Sequence, residues 1–355
     1  MFSVLAWILA APVVVLTLVF ATEVLAGLVP LAQHSRADRP RSATVVVPAH
    51  DEQGGIGRTV TTLQAAMPSW CGLLVVADNC QDDTAKIARR VGASVVERND
   101  FEKRGKGFAL AFARDQLSSN PPDVVVVVDA DCEIDHASLS ALVSHGAYVP
   151  AQAINLLKPD TGASAMVQVS NFAFMIKNLI RQRGLSRLGG RVLLTGTGMA
   201  IPWALFQSAH LATDDLVEDL SLGLDLSEGG FLSASRRRLA PAIATLLRRP
   251  RLADLWALLS LSVPPLALLF LMGIAITPLQ LMLLAAGATV APLITVIASM
   301  LFACMVLLTA WALLGRAFLK PLTILLLPLY LLWKIPLYFR LALGRPRSWV
   351  RADRN

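Results

Sequence analysis

Two kinds of apolar pattern divide the chain. Phe2 to Leu31 is nearly unbroken apolar sequence, and long apolar runs return from Leu255 onward. The roughly 200 residues between them, a normal length for one domain, instead alternate short apolar stretches with polar ones. The first run is longer than a signal-peptide core and has no basic n-region, so it predicts a retained transmembrane helix. Glu23 lies within it. Either it has a role there or it sits near the inner interface, and the second reading is preferred because a helix this long leaves its last turns among headgroups. Leu255–Ile276 and Ala291–Leu314 are each long enough to span. Gln280 to Ala288, broken by Pro278, Gly287 and Pro292, either extends a span or forms an outer turn. Pro321–Trp333 is short, holds Pro328, and is followed by Lys334 and Pro336; a re-entrant or interfacial helix fits it better than a crossing. Three full spans and a cytoplasmic C-terminus are expected.

In the middle, β-branched runs at Thr44–Val47, Leu73–Ala77, Ser94–Glu97 and Val124–Asp129 alternate with stretches of helical spacing at Ile56–Met67, Thr84–Val91 and Gly107–Leu117. Strand and helix in alternation predict right-handed βαβ units and a mostly parallel sheet. Asp82 or Asp83 is the candidate N-cap of the second helix. The domains expected are an N-terminal membrane helix over 1–33, an α/β domain over 34–235, and an interfacial segment with membrane helices and a basic tail over 236–355.

Composition agrees with a membrane protein. Hydrophobic residues are 55% of the 355 and charged ones 16%, too apolar for an ordinary soluble protein. The net charge of +7 does not point to nucleic acid, because the arginines cluster beside the apolar runs and no basic groove with interleaved aromatics is visible. Arg36, Arg39 and Arg41 follow the first run, Arg236–Arg238 and Arg248, Arg249 and Arg251 precede the second, and Arg345, Arg347, Arg351 and Arg354 close the chain. This is the positive-inside pattern of a multi-pass cell-membrane protein whose polar domain is cytoplasmic. The four cysteines form no Cys-x-x-Cys and have no histidines at ligand spacing, which argues against a zinc site or a disulfide framework.

The chemistry collects after the strands. Pro48-Ala49-His50-Asp51-Glu52 follows the first, Asp78-Asn79-Cys80-Gln81-Asp82-Asp83 the second, and Arg98-Asn99-Asp100 leading to Lys103-Arg104-Gly105-Lys106-Gly107 the third. Asp129-Ala130-Asp131 follows the fourth, a run of five valines buried on both faces by expectation. Parallel strands put all four clusters on one edge, where α/β sheets bind ligands. An isolated Asp-x-Asp reads as a solvated turn, but beside three other polar loops Asp129 and Asp131 suit a hard divalent cation, Mg²⁺ or Mn²⁺. Carboxylates and amides of the first two loops suit a nucleoside, and Lys106 a phosphate. Neither a dinucleotide fingerprint nor a P-loop occurs.

These residues resemble the family 2 glycosyltransferases, which have a GT-A fold, and most of all the membrane-anchored bacterial branch related to cellulose and hyaluronan synthases. Pro48, Ala49, His50 and Glu52 match the opening Pro-Ala-x-x-Glu. Asp78, Asp82 and Asp83 match the acidic turn that contacts the nucleobase, Arg104 to Gly107 the basic glycine turn, and Asp129, Ala130 and Asp131 the metal motif. Gly196, Thr197, Gly198 and Met199 look like the acceptor-side segment, and Glu218-Asp219 like the pair whose aspartate is the general base. The matches cover about residues 44 to 228. The resemblance implies a metal-dependent, inverting hexosyltransferase with a nucleotide-sugar donor, UDP-linked by expectation, and a lipid, lipid-linked or polysaccharide acceptor at the bilayer. Read without it, Glu218-Asp219 is equally an acidic helix start.

One departure is clear. Many relatives carry an Arg-x-x-Arg-Trp some tens of residues after the Glu-Asp pair; here Glu228-Gly229-Gly230 leads directly to Arg236-Arg237-Arg238, and none of the seven tryptophans follows an arginine. A catalytically impaired nucleotide-sugar-binding or scaffold protein is therefore the alternative. A transporter has little support, since the apolar runs lack paired charges and repeats. Ile176–Arg191, with Lys177, Arg181, Arg183, Arg187 and Arg191, reads either as contact with an anionic lipid-linked acceptor or the membrane surface, or as a solvated basic helix face.

Overall fold

The computed structural model describes residues 1–31, 40–189, 194–211 and 252–343. The chain divides into two compact units, one of Ala32–Asn155 and Arg191–Asp254, the other of Met1–Leu31, Leu156–Gly190 and Leu255–Asn355. Residues 156–190, expected within the α/β domain, thus cluster with the apolar helices.

The first unit is α/β. Its strands are β1 (Ala43–Ala49), β2 (Cys71–Asp78), β3 (Ser94–Arg98), β4 (Val124–Val127), β5 (Ala151–Gln152) and β6 (Met199–Pro202). They form a sheet of order β3-β2-β1-β4-β6-β5. The first four strands in that order pair in parallel, as the alternating pattern predicts, while β6 runs antiparallel to β4 and β5 antiparallel to β6. Because successive side chains point to opposite faces, the sheet supports two cores. Val45, Val47, Val75, Val124 and Val126 pack with Ile56, Val60 and Leu63 of α2 (Ile56–Ala66), Ala88 of α3 (Thr84–Arg90), and Leu139 and Val143 of α5 (His136–Gly146). Val46, Val76, Val125 and Val127 pack with Ala109, Leu110 and Ala113 of α4 (Lys106–Leu117) and with Phe206 of α8 (Trp203–Ser208). The valines of β4 are fully buried, each worth about 1.5–3 kcal/mol of transfer free energy. The chain leaves β1 toward β2 and β3 and then crosses to β4 on the other side of β1. The gap between the carboxyl ends of β1 and β4 is therefore the topological switch point of the sheet.

The second unit is helical. Its elements are α1 (Phe2–Gly27), α6 (Ala165–Met175), which passes through a π-helical stretch (Ile176–Arg181) into α7 (Gln182–Arg187), α9 (Leu252–Ser262), α10 (Leu266–Ala285), α11 (Ala291–Ala310) with a π-helical end (Trp311–Gly315), α12 (Pro321–Ile324) and α13 (Leu327–Leu343). Among the described residues three helices, Phe2–Gly27, Leu266–Ala285 and Ala291–Gly315, are long and apolar enough to cross a bilayer. The second span differs from the expected Leu255–Ile276. Pro264 and Pro265 lack backbone donors and disfavour helix in the residue before each of them, so α9 stops at Ser262 and the span runs from Leu266 through Gln280 to Ala285.

Glu23, in the last turns of α1, has a structural partner. It is 0% exposed, and Arg181 reaches it with Nε and Nη2, both 2.7 Å from Oε2. Arg181 Nη2 also donates to the Ser260 carbonyl at 3.1 Å, and the guanidinium lies over the Phe20 ring. The close approach that permits this is made by glycines. A Cβ on Gly184 would lie 1.9 Å from the Glu23 carbonyl oxygen, and one on Gly27 would lie 1.8 Å from that of Ile180, so the two helices meet backbone to backbone. Arg187 donates to the carbonyls of Ala26, Val29 (3.0 Å) and Pro30 (3.1 Å), satisfying acceptors that the end of α1 leaves open. Two cations of the basic stretch thus serve to hold α1, a role neither sequence reading contained; Arg191 lies outside the described residues.

Removing one partner of a buried ion pair leaves an uncompensated charge, whereas removing both can be nearly neutral. Arg181→Met is expected to destabilise the detergent-solubilised protein by about 3–5 kcal/mol, and Glu23→Leu combined with Arg181→Met to recover most of that loss in thermal unfolding. A double variant as unstable as Arg181→Met alone would show that the pair is not the cause.

Candidate active site

The four polar loops leave the sheet at one edge because β1 to β4 are parallel. Pro48 and Ala49 end β1, and Ala49 is buried beside Ala77 of β2. His50 then places Nδ1 2.7 Å from the Asp78 carbonyl. Asp51 takes a positive φ of 51°, uncommon for any residue but glycine and tolerated by Asp, and its Oδ1 accepts the Gln81 N–H at 2.7 Å. The Glu52 N–H donates to Thr84 Oγ1 at 2.8 Å and the Gln53 N–H to Asp82 Oδ2 at 3.0 Å. The first loop is therefore laced to the second. Asp83 occupies the N-cap position of α3 but makes no capping bond; Asp82 Oδ1 accepts from the Thr84 N–H at 3.0 Å instead.

Asp78 is 6% exposed and Arg98 9%. They face each other across the β2–β3 ladder, and Arg98 Nη1 lies 2.6 Å from Asp78 Oδ1. Asn79 Nδ2 donates to the same oxygen at 3.1 Å. Arg98 Nη2 continues to Asp100 Oδ2 (3.0 Å) and the Lys103 carbonyl (2.7 Å). Burial pushes the Asp78 carboxyl up, and the Arg98 guanidinium offsets only part of that.

Lys106 is the first residue of α4, following Gly105 at φ 128°, a backbone conformation that only glycine adopts freely. Its Nζ lies 2.6 Å from Asp129 Oδ1 and also donates to the Gly196 carbonyl. The Asp129 N–H donates to Thr197 Oγ1 at 3.0 Å, and the Ala130 carbonyl accepts from Thr59 Oγ1 at 2.5 Å. Asp129, Asp131 and Cys132 bring ligand atoms within 4.8 Å of one another. Burial first, then the nearby carboxylates, push the Cys132 thiol up to about 11 against a bond with Thr197. The two hard carboxylates, Asp129 and Asp131, are donors that fit Mg²⁺ or Mn²⁺.

Gly196 and Gly198 have φ of 94° and 67°. Between them Thr197 is buried, and Met199, the first residue of β6, is core. The segment is held by Gln152, whose Nε2 donates to the Thr197 carbonyl at 2.8 Å and whose Oε1 accepts the Thr195 N–H at 2.9 Å. Gln152 and Thr84 were not singled out in the sequence, and Arg98 was named only as part of the third polar cluster; its partner Asp78 emerged once β2 and β3 were in register. Glu218, Asp219 and Arg236–Arg238 lie outside the described residues. A cleft of about 550 Å³ lined by Pro40, Arg41, Pro122, Tyr148 and Trp203 opens at the other, amino-terminal edge of the sheet and includes none of the predicted site residues.

A model of the family described as "glycosyltransferase like family 2" matches residues 40–257. A low-salt glycan biosynthesis hexosyltransferase of Haloferax volcanii is 32% identical over 110 residues, 30% of this chain and 25% of that protein. An uncharacterised glycosyltransferase of Mycobacterium tuberculosis is 36% identical over 103 residues, 29% of this chain and 43% of that one. The chain thus spans less than half the length of these curated relatives. Among solved structures, a mannosyltransferase from Pyrobaculum calidifontis in complex with GDP-Man and Mn²⁺ superposes with a TM-score of 0.54 at 16% identity, over 94% of this chain and 100% of that one. At that identity the likeness establishes the fold, which is of the GT-A type.

The Asp82 bonds have a pH signature. Burial pushes its carboxyl up, but hydrogen bonds from the Thr84 hydroxyl and the Thr84 and Gln53 N–H groups outweigh it, so the folded value lies below the usual 3.8. A depressed carboxyl contributes stability above its unfolded pKa and loses it as pH falls through the folded value. Asp82→Ala should therefore lower the melting temperature near neutral pH, with the gap to the parent protein closing below 3.8. A gap independent of pH would refute the ionic contribution.

Proposed function

Since the chain belongs to the glycosyltransferase-like family 2, we propose that it transfers a hexose from a nucleotide-sugar donor, UDP-linked, to a lipid, lipid-linked or polysaccharide acceptor beside a membrane. The observation that carries this reading is the meeting of Lys106, Asp129 and Gly196 at the β1–β4 switch point, with Asp131 two residues on. On this reading Asp129 and Asp131 hold a divalent cation, Mg²⁺ or Mn²⁺, which when bound supplies the charge that stabilises a departing nucleoside diphosphate. Pro48, Ala49, His50, Glu52 and Asp78 face the nucleoside, Lys106 the diphosphate, and Gly196 to Gly198 the acceptor, with Met199 anchoring that segment in the core.

Asp219, beside Glu218, acts as the base. As the acceptor oxygen bonds to the anomeric carbon, the bond from that carbon to the phosphate oxygen breaks. The hydroxyl proton passes to Asp219, and a single displacement inverts the anomeric configuration. A carboxylate of ordinary pKa is adequate, because the hydroxyl acidifies only as it attacks. The three apolar helices support a bilayer-associated enzyme, and the arginines beside the apolar runs support a cytoplasmic α/β unit. The missing Arg-x-x-Arg-Trp favours a second reading, a binding or scaffold protein without turnover.

Purified full-length protein, a panel of UDP- and GDP-sugars, membrane lipid extract, and Mn²⁺ or Mg²⁺ separate the two readings. Metal-dependent release of nucleoside diphosphate is expected, stimulated by lipid, with Asp219→Asn lowering it by about 10²–10⁴-fold. Donor binding without release would favour the scaffold, and undiminished release from Asp219→Asn would remove that residue as base.

A further inference from the structure

Lys106 and a divalent cation compete for one carboxylate. The Lys106 ammonium sits 2.6 Å from Asp129 Oδ1, with its side chain 19% exposed and that of Asp129 35%. It also bonds to the Gly196 carbonyl. Asp129 is at the same time one of the two carboxylates clustered with Cys132. An ammonium at this distance cancels charge on Asp129 and takes up a lone pair that a cation would use. Two cations on one carboxylate repel each other unless an anion joins them. Lysine suits such an exchange, because its charge is a point on a flexible stem rather than a fixed planar fork.

We propose that Lys106 is the resident counter-ion of Asp129, and that it gives up this carboxylate to a divalent cation only when a nucleoside diphosphate is there to receive its ammonium. The inference rests on the reading of Asp129 and Asp131 as metal ligands. It makes the binding of metal and diphosphate one coupled event, and by linkage each strengthens the other by the same factor. The Gly196 carbonyl loses its lysine partner in that event, so the acceptor-side segment is released from the Lys106 turn only after the donor has arrived. Discrimination against metal alone follows from the same contact. Asp129 stays matched until an anion of sufficient charge enters, and a free cation finds one of its two carboxylates occupied.

Mn²⁺ binding, followed by loss of the free-ion paramagnetic resonance signal and needing no turnover, tests this on the full-length protein with UDP and GDP as probes. For the parent protein one of these diphosphates is expected to tighten Mn²⁺ binding by about 5–150-fold. Lys106→Met should bind Mn²⁺ alone about tenfold more tightly than the parent and lose most of the enhancement. Lys106→Arg, which keeps the charge, should bind Mn²⁺ alone as weakly as the parent; opposite behaviour of these two variants cannot come from misfolding. Mn²⁺ held through Asp131, as judged by its loss in Asp131→Asn, but with equal affinity in Lys106→Met and the parent would overturn the exchange alone. No Mn²⁺ binding by the parent in the presence of either diphosphate, or binding unaffected by Asp131→Asn, would overturn the metal site and the exchange with it.

Discussion

Parallel pairing of β3, β2, β1 and β4 is the constraint from which the rest of the α/β unit follows. The central strands β1 and β4 are covered on both faces and are rich in valine, so the polar chemistry gathers where the strands end. With the strands parallel, those ends share one edge. The reversal at β6 brings in the last contributor. Running antiparallel to β4, it has its amino end at the carboxyl end of β4, so Gly196, Thr197 and Gly198 arrive beside Asp129 although 66 residues of chain lie between Asp129 and Gly196.

Both units bury charge, and both do so in pairs. Arg98 with Asp78, and Arg181 with Glu23, place guanidinium nitrogens 2.6–2.7 Å from a carboxylate oxygen. A single buried charge would cost several kcal/mol. The pairs differ in what surrounds them. Arg98 spends its remaining donors on Asp100 and the Lys103 carbonyl, so it stiffens two loops at the site edge. Arg181 spends them on Ser260 and ties together three helices. Among the described residues one oxygen of Glu23 has no hydrogen-bond partner, which marks that pair as a fastening made at some cost in desolvation.

Local signals carried most of the architecture. Valine runs and helical spacing placed β1 to β4 and α2 to α4 within a few residues, and length with apolarity gave three spans. What escaped was long-range. Glu23 has no visible partner in the sequence, because Arg181, which pairs with it, is 158 residues away. Arg98 is one arginine among many until the β2–β3 register sets it opposite Asp78. Gln152 shows no pattern at all, because its partners are backbone atoms of the Thr195–Thr197 segment. The shifted second span has a local cause that apolarity hides: a run that reads as continuous by hydropathy is cut by Pro264 and Pro265, whose effect is on the backbone.

Charge at the site edge also argues for the order in which it is filled. The four loops place Asp51, Asp78, Asp82, Asp129 and Asp131 at one sheet edge, and Arg98 and Lys106 there are each already matched to a carboxylate. A polyanionic diphosphate entering this edge alone would meet an excess of negative charge. A divalent cation entering alone would meet Lys106. Only the two together add enough charge of each sign to satisfy Asp129, Asp131, Lys106 and the phosphates at once, so on the proposed reading the arrangement of side chains itself selects metal and donor as a unit.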